Sequence, residues 1–109
     1  MTVFQFGENW SRFASQIDKK NVEAAVINLE RLLPELSQFE SRQGRKPSFL
    51  DIGCGSGIHA VAATLLGANV QAFDIDEISV RTTNNLFDKL GLKMTPPAFE
   101  ASILEVPIF

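Results

Sequence analysis

The first third of the chain carries apolar residues at helical spacing. Trp10, Phe13 and Ile17 form one apolar stripe, which predicts a short helix starting near Asn9. A longer helix is predicted after Asn21, which we expect to be its N-cap. The apolar positions of that helix follow the i, i+3, i+4, i+7 pattern and are Val22, Ala25, Val26, Leu29, Leu32, Leu33 and Leu36.

A polar connector follows this second helix. Pro34 cannot donate a helical hydrogen bond, so the helix should bend or end near Leu33. The stretch from Ser37 to Pro47 is polar and contains Gly44, which is typical of a connector. We therefore expect residues 1–47 to form an N-terminal helical segment and connector.

Beyond the connector, short apolar runs alternate with helical patterns. The apolar runs have the length of buried strands and cover Ser48–Ile52, Ala68–Phe73 and Ala98–Leu104. Two helices fit between them: Ile58–Leu66, which Gly67 ends, and a second that Asp76 caps and Gly91 stops after Leu90. Strand, helix, strand, helix, strand with short links predicts right-handed βαβ units and a parallel sheet. The predicted fold class is α/β, with residues 48–109 forming a βαβαβ half-domain within one compact domain.

Composition and charge exclude several classes of protein. The 109 residues carry a net charge of −3 and 45% of them are hydrophobic, which suits one soluble domain. The basic residues Arg42, Arg45 and Lys46 are interrupted by Gln and Gly and predict a solvated loop rather than a nucleic-acid face. Neither a signal peptide nor an apolar run of ~20 residues is present, so we expect a cytoplasmic protein without a membrane partner. A single cysteine, Cys54, allows neither an intrachain disulfide nor a metal site built on thiolates, and we predict no metal.

The segment FLDIGCGSG, from Phe49 to Gly57, is the most informative part of the sequence. Three alternating glycines directly after a strand let the backbone turn tightly and leave the amides of the next helix open to a ligand. Asp74 ends the next predicted strand, at the edge where open α/β sheets bind ligands and where a carboxylate can hold a ribose diol. The segment GSGIHA also satisfies the loose dinucleotide pattern G-x-G-x-x-A, so the glycines alone leave two classes of cofactor open.

Asp51 favours one of these two classes. It lies two residues before the first glycine, where the pyrophosphate of a dinucleotide would meet a carboxylate of like charge. S-adenosylmethionine has no phosphate and carries an ammonium and a sulfonium, so a carboxylate there attracts it. The pattern therefore favours S-adenosylmethionine over a nicotinamide cofactor.

With Asp51 and Asp74 in place, FLDIGCGSG resembles the first motif of class I S-adenosylmethionine-dependent methyltransferases. The later ANVQAFDID is similar to their second strand, and the opening FQFGENWSRF resembles one branch that acts on small molecules. The resemblance runs from Phe4 to about Pro107. It implies a partial, Rossmann-like three-layer fold with about three parallel strands, truncated relative to the seven-stranded fold of the family.

The resemblance also implies roles for individual residues. Asp51, Gly53 and Gly55 would line the methionine part of S-adenosylmethionine or S-adenosylhomocysteine, and Asp74 would hold the ribose. Ile75 would pack on the adenine, and Ser102 stands where the family often has an acid that contacts the adenine. The complete set of candidate cofactor-binding residues is Asp51, Gly53, Cys54, Gly55, Gly57, Asp74, Ile75 and Ser102.

The resemblance places the acceptor-binding and catalytic residues after a fourth strand. We therefore expect a cofactor-binding portion that is incomplete for catalysis, from a methyltransferase with a small-molecule acceptor, and we assign no catalytic residue. The alternatives are a non-catalytic module for S-adenosylmethionine binding or self-association and, with less weight, a fragment of an NAD-dependent oxidoreductase. We also expect a homodimer through the exposed sheet edge or the N-terminal helices, or a partner chain that supplies the missing C-terminal half.

Overall fold

The computed structural model describes residues 19–105. The helices, in chain order, are α1 (Lys19–Leu32), α2 (Phe39–Gln43), α3 (Ile58–Leu65) and α4 (Glu77–Lys89), with a 3-10 turn at Leu36–Gln38 between α1 and α2. The strands are β1 (Ser48–Ile52), β2 (Asn69–Asp74) and β3 (Phe99–Glu100). The predicted helix with Trp10 and Phe13 lies outside the described residues.

The three strands form one parallel sheet in the order β1-β2-β3. Asp51 in β1 lies opposite Ala72 in β2, and Phe73 in β2 lies opposite Phe99 in β3. The rings of Phe73 and Phe99 also stack, with centroids 5.5 Å apart. The prediction of an α/β fold with three parallel strands is confirmed.

Helix α3 lies at the centre of the packing, in contact with α1 as well as with β1 and β2. Four successive residues of α3 are fully buried: Ala60, Val61, Ala62 and Ala63. A helix packed between another helix and a sheet needs small side chains, because they let α1 and the sheet approach its backbone closely. On β2, Val70 and Ala72 join this core, whereas Asn69 and Gln71 on the opposite face are exposed.

The ends of α3 and α4 follow the predicted chemistry. Gly67 and Gly91 both have positive φ, +100° and +69°, immediately after these helices. The amide of Gly67 donates to Thr64, and the next amide donates to Ala63, which is the hydrogen-bond pattern of a Schellman cap. At the other end of α4, the Asp76 carboxylate accepts a hydrogen bond from the Ile78 amide at 3.1 Å. These caps confirm the sequence assignments.

The predicted start of the long N-terminal helix is wrong. Helix α1 already includes Lys19 and Lys20, so Asn21 lies inside the helix and cannot be its N-cap. Lysine has a high intrinsic helix propensity, which favours extension upstream of Asn21. The helix does end at Leu32, before Pro34, as predicted, and α2 and the 3-10 turn occupy part of the predicted connector.

The third strand is also shorter than predicted, because local hydrogen bonds replace sheet pairing after Glu100. The Ser102 hydroxyl accepts from the Leu104 amide at 3.1 Å, and the Glu105 carboxylate accepts from the Ser102 amide at 3.0 Å. Such side-chain bonds to the backbone compete with a strand ladder. The chain therefore turns where the sequence predicts a strand as far as Leu104.

Within residues 19–105, the outer edge of β1 is paired with no further strand. The homodimer expected through this edge stays a prediction, as does the division of the chain at residue 47. In the same part of the chain, no helix combines the length and apolar character that crossing a membrane requires.

A side chain of α4 holds the segment that leads into β3. Asn84 Nδ2 donates to the Ala98 carbonyl at 3.0 Å, and the Ala98 amide donates to Asn84 Oδ1 at 2.8 Å. Ala98 is buried, so both of its backbone groups need partners inside the protein. One amide side chain supplies them, as a neighbouring strand would.

We expect Asn84→Ala to lower the free energy of unfolding by roughly 1–3 kcal/mol, because it leaves two buried backbone groups without partners. Urea unfolding followed by circular dichroism measures the change. Asn85→Ala is the matched control, since the same truncation at the next helical position removes neither hydrogen bond. Equal losses in the two variants would contradict the assigned role of Asn84.

Candidate functional site

The glycine loop, defined as residues Gly53–Gly57, lies at the carboxyl ends of β1 and β2. The amides of Gly53 and Cys54 both donate to the Phe73 carbonyl, at 2.8 and 3.1 Å. Gly53, Gly55 and Gly57 have φ values of +75°, +56° and +88°, a region that side chains other than glycine rarely adopt. The loop therefore has the tight turn that the sequence predicts, and backbone hydrogen bonds tie it to the end of β2.

Asp74 ends β2 and binds the glycine loop directly. Its Oδ2 accepts from the Gly55 amide at 3.1 Å, and its Oδ1 accepts from the Asp76 amide at 2.9 Å. An ionised carboxylate has about four acceptor positions, so each oxygen keeps one for a hydroxyl group of a ligand. The structure thus brings the predicted ribose-binding acid and the glycine loop together.

Asp51 lies near the end of β1, and one of its carboxylate oxygens is buried without a hydrogen bond to the described part of the chain. Its Oδ2 is buried and has no hydrogen-bond partner among residues 19–105. Burial raises the pKa of the Asp51 carboxyl; the charge of His59 lowers this pKa in part, and that of Asp74 raises it further. A buried acceptor of this kind is costly to leave unpaired, so a positively charged donor that reaches it would remove that cost.

Cys54 is buried in the glycine loop and has the properties of a packing residue. Burial raises the pKa of its thiol, although a hydrogen bond with Thr83 lowers it in part, and the charges of Asp51 and Asp74 also raise it. A thiol with a raised pKa is protonated at neutral pH, and the thiolate is the reactive form. The structure therefore offers no activated nucleophile at Cys54.

Thr83 on α4 is a residue of the site that the sequence analysis missed. It is 0% exposed, and its Oγ1 lies 3.1 Å from the Gly55 carbonyl oxygen and 3.2 Å from Cys54 Sγ. A signal was present in the sequence, since Thr83 lies three residues before the predicted core position Leu86. A polar residue on the buried face of a helix needs a hydrogen-bond partner, which here is the glycine loop.

Ile75 and Ser102 lie on chain segments that leave the same edge of the sheet. Ile75 follows Asp74 and is 73% exposed, so it offers an apolar surface to a ligand. The Ala101 amide donates to the Asp74 carbonyl at 3.0 Å, which places the chain that leads to Ser102 beside the end of β2. The Ser102 hydroxyl already accepts from the Leu104 amide, and its own hydrogen stays available for a ligand.

A sizeable cavity lies at the opposite end of the strands. It has a volume of about 570 Å³ and is lined by residues at the amino ends of β1 and β2, including Ser48 and Asn69, and by Lys46 and Lys93. Ligands of open α/β sheets bind at the carboxyl ends of the strands, where the glycine loop and the two acids lie. We therefore place the candidate site at the glycine loop and not in this cavity.

Comparison with known proteins gives one family match. The model of the family described as "Ribosomal protein L11 methyltransferase (PrmA)" matches residues 32–94. A ribosomal protein L11 methyltransferase of Citrifermentans bemidjiense is 38% identical over 71 residues, which cover 63% of this chain and 23% of that protein. The corresponding protein of Staphylococcus saprophyticus is 34% identical over 71 residues, which cover 64% of this chain and 23% of that protein. The chain thus spans about a quarter of the length of these two relatives.

Two solved structures of methyltransferases also resemble this chain. A ribosomal protein L11 methylase from Lactobacillus delbrueckii subsp. bulgaricus is 30% identical with a TM-score of 0.50, covering 68% of this chain and 40% of that one. A Pyrococcus abyssi tRNA (uracil-54, C5)-methyltransferase in complex with S-adenosyl-L-homocysteine is 25% identical with a TM-score of 0.56, covering 76% of this chain and 19% of that one.

We expect Asp51→Asn to raise the free energy of unfolding at neutral pH by about 0.5–2 kcal/mol, the range typical of a single stabilising substitution. The folded protein holds the Asp51 proton to higher pH than the unfolded chain does, because burial raises the pKa. The stability of the parent protein relative to the Asp51→Asn variant therefore falls as the pH rises from about 4 through the raised pKa of Asp51. The advantage of the variant should grow across that interval and stay constant above it.

Urea unfolding from acid to neutral pH measures this dependence. Glu35→Gln is the matched control, because it removes an exposed carboxylate far along the chain from the site. A variant at Asp51 that is less stable than the parent at neutral pH would show that the carboxylate is satisfied in the free protein.

Proposed function

Because the chain belongs to the ribosomal protein L11 methyltransferase family, we propose that its glycine loop binds S-adenosylmethionine for methyl transfer to a protein. The observation that carries this proposal is the buried, unpartnered Oδ2 of Asp51 beside the glycine loop. The ammonium group of the methionine part of the cofactor supplies both the hydrogen and the positive charge that this oxygen lacks.

The other groups at the site fit the remaining parts of the cofactor. Asp74 keeps acceptor positions for the two ribose hydroxyls while it holds the Gly55 amide. The exposed side chain of Ile75 offers a surface for the adenine, and the Ser102 hydroxyl can hydrogen-bond a ring nitrogen. When bound, S-adenosylmethionine supplies an electrophilic methyl group on a sulfonium; the residues named here bind and orient it.

The same geometry disfavours a nicotinamide dinucleotide. Its pyrophosphate would approach the amides of the glycine loop, beside the Asp51 carboxylate. The Asp74 charge already raises the pKa of Asp51, so a further negative group close to Asp51 would be repelled by it. We therefore do not favour the NAD-dependent alternative.

The acceptor expected from the sequence needs correction. The resemblance of the opening segment suggests a small-molecule acceptor, whereas the relatives are named for ribosomal protein L11, which is a protein substrate. The family model begins at residue 32, so that opening segment contributes nothing to the match. We propose a ribosomal protein as the acceptor and assign no catalytic residue among residues 19–105.

We expect the chain to bind S-adenosylhomocysteine, and we expect Asp51→Asn to weaken binding by roughly 1.5–3 kcal/mol, the contribution of a hydrogen bond to a charged group. Isothermal titration calorimetry measures both affinities. Because the same substitution should stabilise the free protein, weaker binding could not be attributed to unfolding.

Glu35→Gln serves as the control in the titration and should bind like the parent, and NAD should bind more weakly than S-adenosylhomocysteine. Unchanged affinity in Asp51→Asn would contradict the proposal that Asp51 binds the ammonium group. Binding of NAD more strongly than S-adenosylhomocysteine would support the oxidoreductase alternative.

For the acceptor, we expect radiolabel from S-adenosylmethionine to collect on purified ribosomal protein L11 rather than in a small-molecule filtrate from cells. Each acceptor would be offered separately to the purified chain mixed with cell extract, which can supply a partner chain, with extract alone as the blank. Asp51→Asn should reduce the label above this blank because the cofactor binds less well. Label confined to the filtrate would restore the small-molecule acceptor. Cofactor binding without label in either would favour the non-catalytic module.

A further inference from the structure

The backbone of Gly55 is held from two sides by side chains of different elements. Its amide donates to Asp74 Oδ2 at the end of β2, at 3.1 Å. Its carbonyl accepts from the Thr83 hydroxyl on α4, also at 3.1 Å. The glycine loop connects β1 to α3, but its middle is fixed by two other elements, β2 and α4.

Thr83 contacts the glycine loop at two further points. Its Oγ1 lies 3.2 Å from Cys54 Sγ, a weaker acceptor than a carbonyl oxygen, so the hydroxyl donates chiefly to Gly55 and only weakly to the sulfur. A Cβ added at Gly57 would lie only 2.9 Å from Thr83 Cγ2 and 3.0 Å from Thr83 Cα. The loop thus packs directly on Thr83 from Cys54 to Gly57.

The hydroxyl of Thr83 is used differently from that of its neighbour. Thr82 is also buried, but its hydroxyl donates to the Ile78 carbonyl one turn earlier in α4, at 2.7 Å. This bond pairs the Thr82 hydroxyl within α4 and does not involve the glycine loop. A buried hydroxyl costs free energy unless it is paired, and valine would fill the Thr83 position with almost the same shape. Compared with valine at this position, the hydroxyl of Thr83 therefore adds only the hydrogen bond with Gly55.

We propose that Thr83 is a positioning residue for the cofactor, because its hydroxyl fixes the Gly55 carbonyl, and with it the glycine loop, in the binding conformation before the ligand arrives. This inference rests on the proposed function of the loop and deepens it. A loop that is already ordered loses less conformational entropy on binding, so the positioning hydrogen bond appears as affinity. Thr83 itself need not touch the cofactor.

Three variants separate the hydroxyl from the methyl group and from the helix. Thr83→Val removes the hydroxyl and keeps the shape, whereas Thr83→Ser keeps the hydroxyl and removes the methyl group. Thr82→Val is the control, because it removes a hydroxyl in the same way from the neighbouring threonine. By calorimetry, we expect Thr83→Val to bind S-adenosylhomocysteine about five- to tenfold more weakly, as for the loss of one buried hydrogen bond. Thr83→Ser should stay within about twofold of the parent although its lost methyl lowers stability, and Thr82→Val should bind normally.

Amide hydrogen exchange on the ligand-free protein tests the positioning without any ligand. The amides of Gly53, Cys54, Gly55 and Gly57 all donate hydrogen bonds in the structure. Their exchange should be about fivefold faster in Thr83→Val, and unchanged in Thr83→Ser and Thr82→Val. If the parent bound no S-adenosylhomocysteine, the proposed function would fail, and exchange alone would still decide the role of Thr83.

Two results would overturn the proposal. One is parental affinity and parental loop exchange in Thr83→Val. The other is an equal loss in Thr83→Ser or in Thr82→Val, which would assign the effect to packing in α4 rather than to the hydroxyl that reaches Gly55.

Discussion

Hydrogen bonds between the glycine loop and the end of β2 determine the geometry of the site. The Phe73 carbonyl accepts two amides of the loop, and the Asp74 carboxylate accepts a third. Both acceptors belong to a strand whose register against β1 places Asp51 opposite Ala72, directly before Phe73. Since parallel pairing fixes the relative height of the two strands, it also fixes where Asp51 stands relative to the loop. The spacing between the two acids is therefore a property of the sheet.

The cost of this arrangement lies in Asp51. A carboxylate oxygen that is buried without a partner destabilises the free protein, and the charge of Asp74 adds to the effect. Functional sites commonly carry such local penalties, because a group that is already satisfied inside the protein has little to gain from a ligand. The rest of the fold compensates through the close packing of α3 against α1 and the sheet.

Local chemistry explains which parts of the fold could be predicted from the sequence. Gly67, Gly91 and Asp76 act on their own helix ends, so reading them requires no knowledge of tertiary contacts. β1 is similarly bounded by Pro47 before it and by Gly53 after it.

The end of β3 and the role of Thr83 depend on interactions that sequence patterns describe poorly. Ser102 and Glu105 form a turn that competes with strand pairing, although the residues between them are apolar. Thr83 meets Gly55 across 28 positions of the chain, a contact that only the packing of α4 on the sheet creates. The sequence predicts Asp51 and Asp74 as site residues because each lies at a strand end, whereas Thr83 lies in the middle of a helix.

The pair of hydrogen bonds between Asn84 and Ala98 has a consequence for how this protein can vary. They attach the start of β3 to the middle of α4 and not only to the loop that precedes it. Met94 of that loop is buried in the core, whereas residues 95–97 are exposed. Extra residues at positions 95–97 should therefore leave the register of Phe99 on Phe73 unchanged, because Asn84 still holds Ala98 in place.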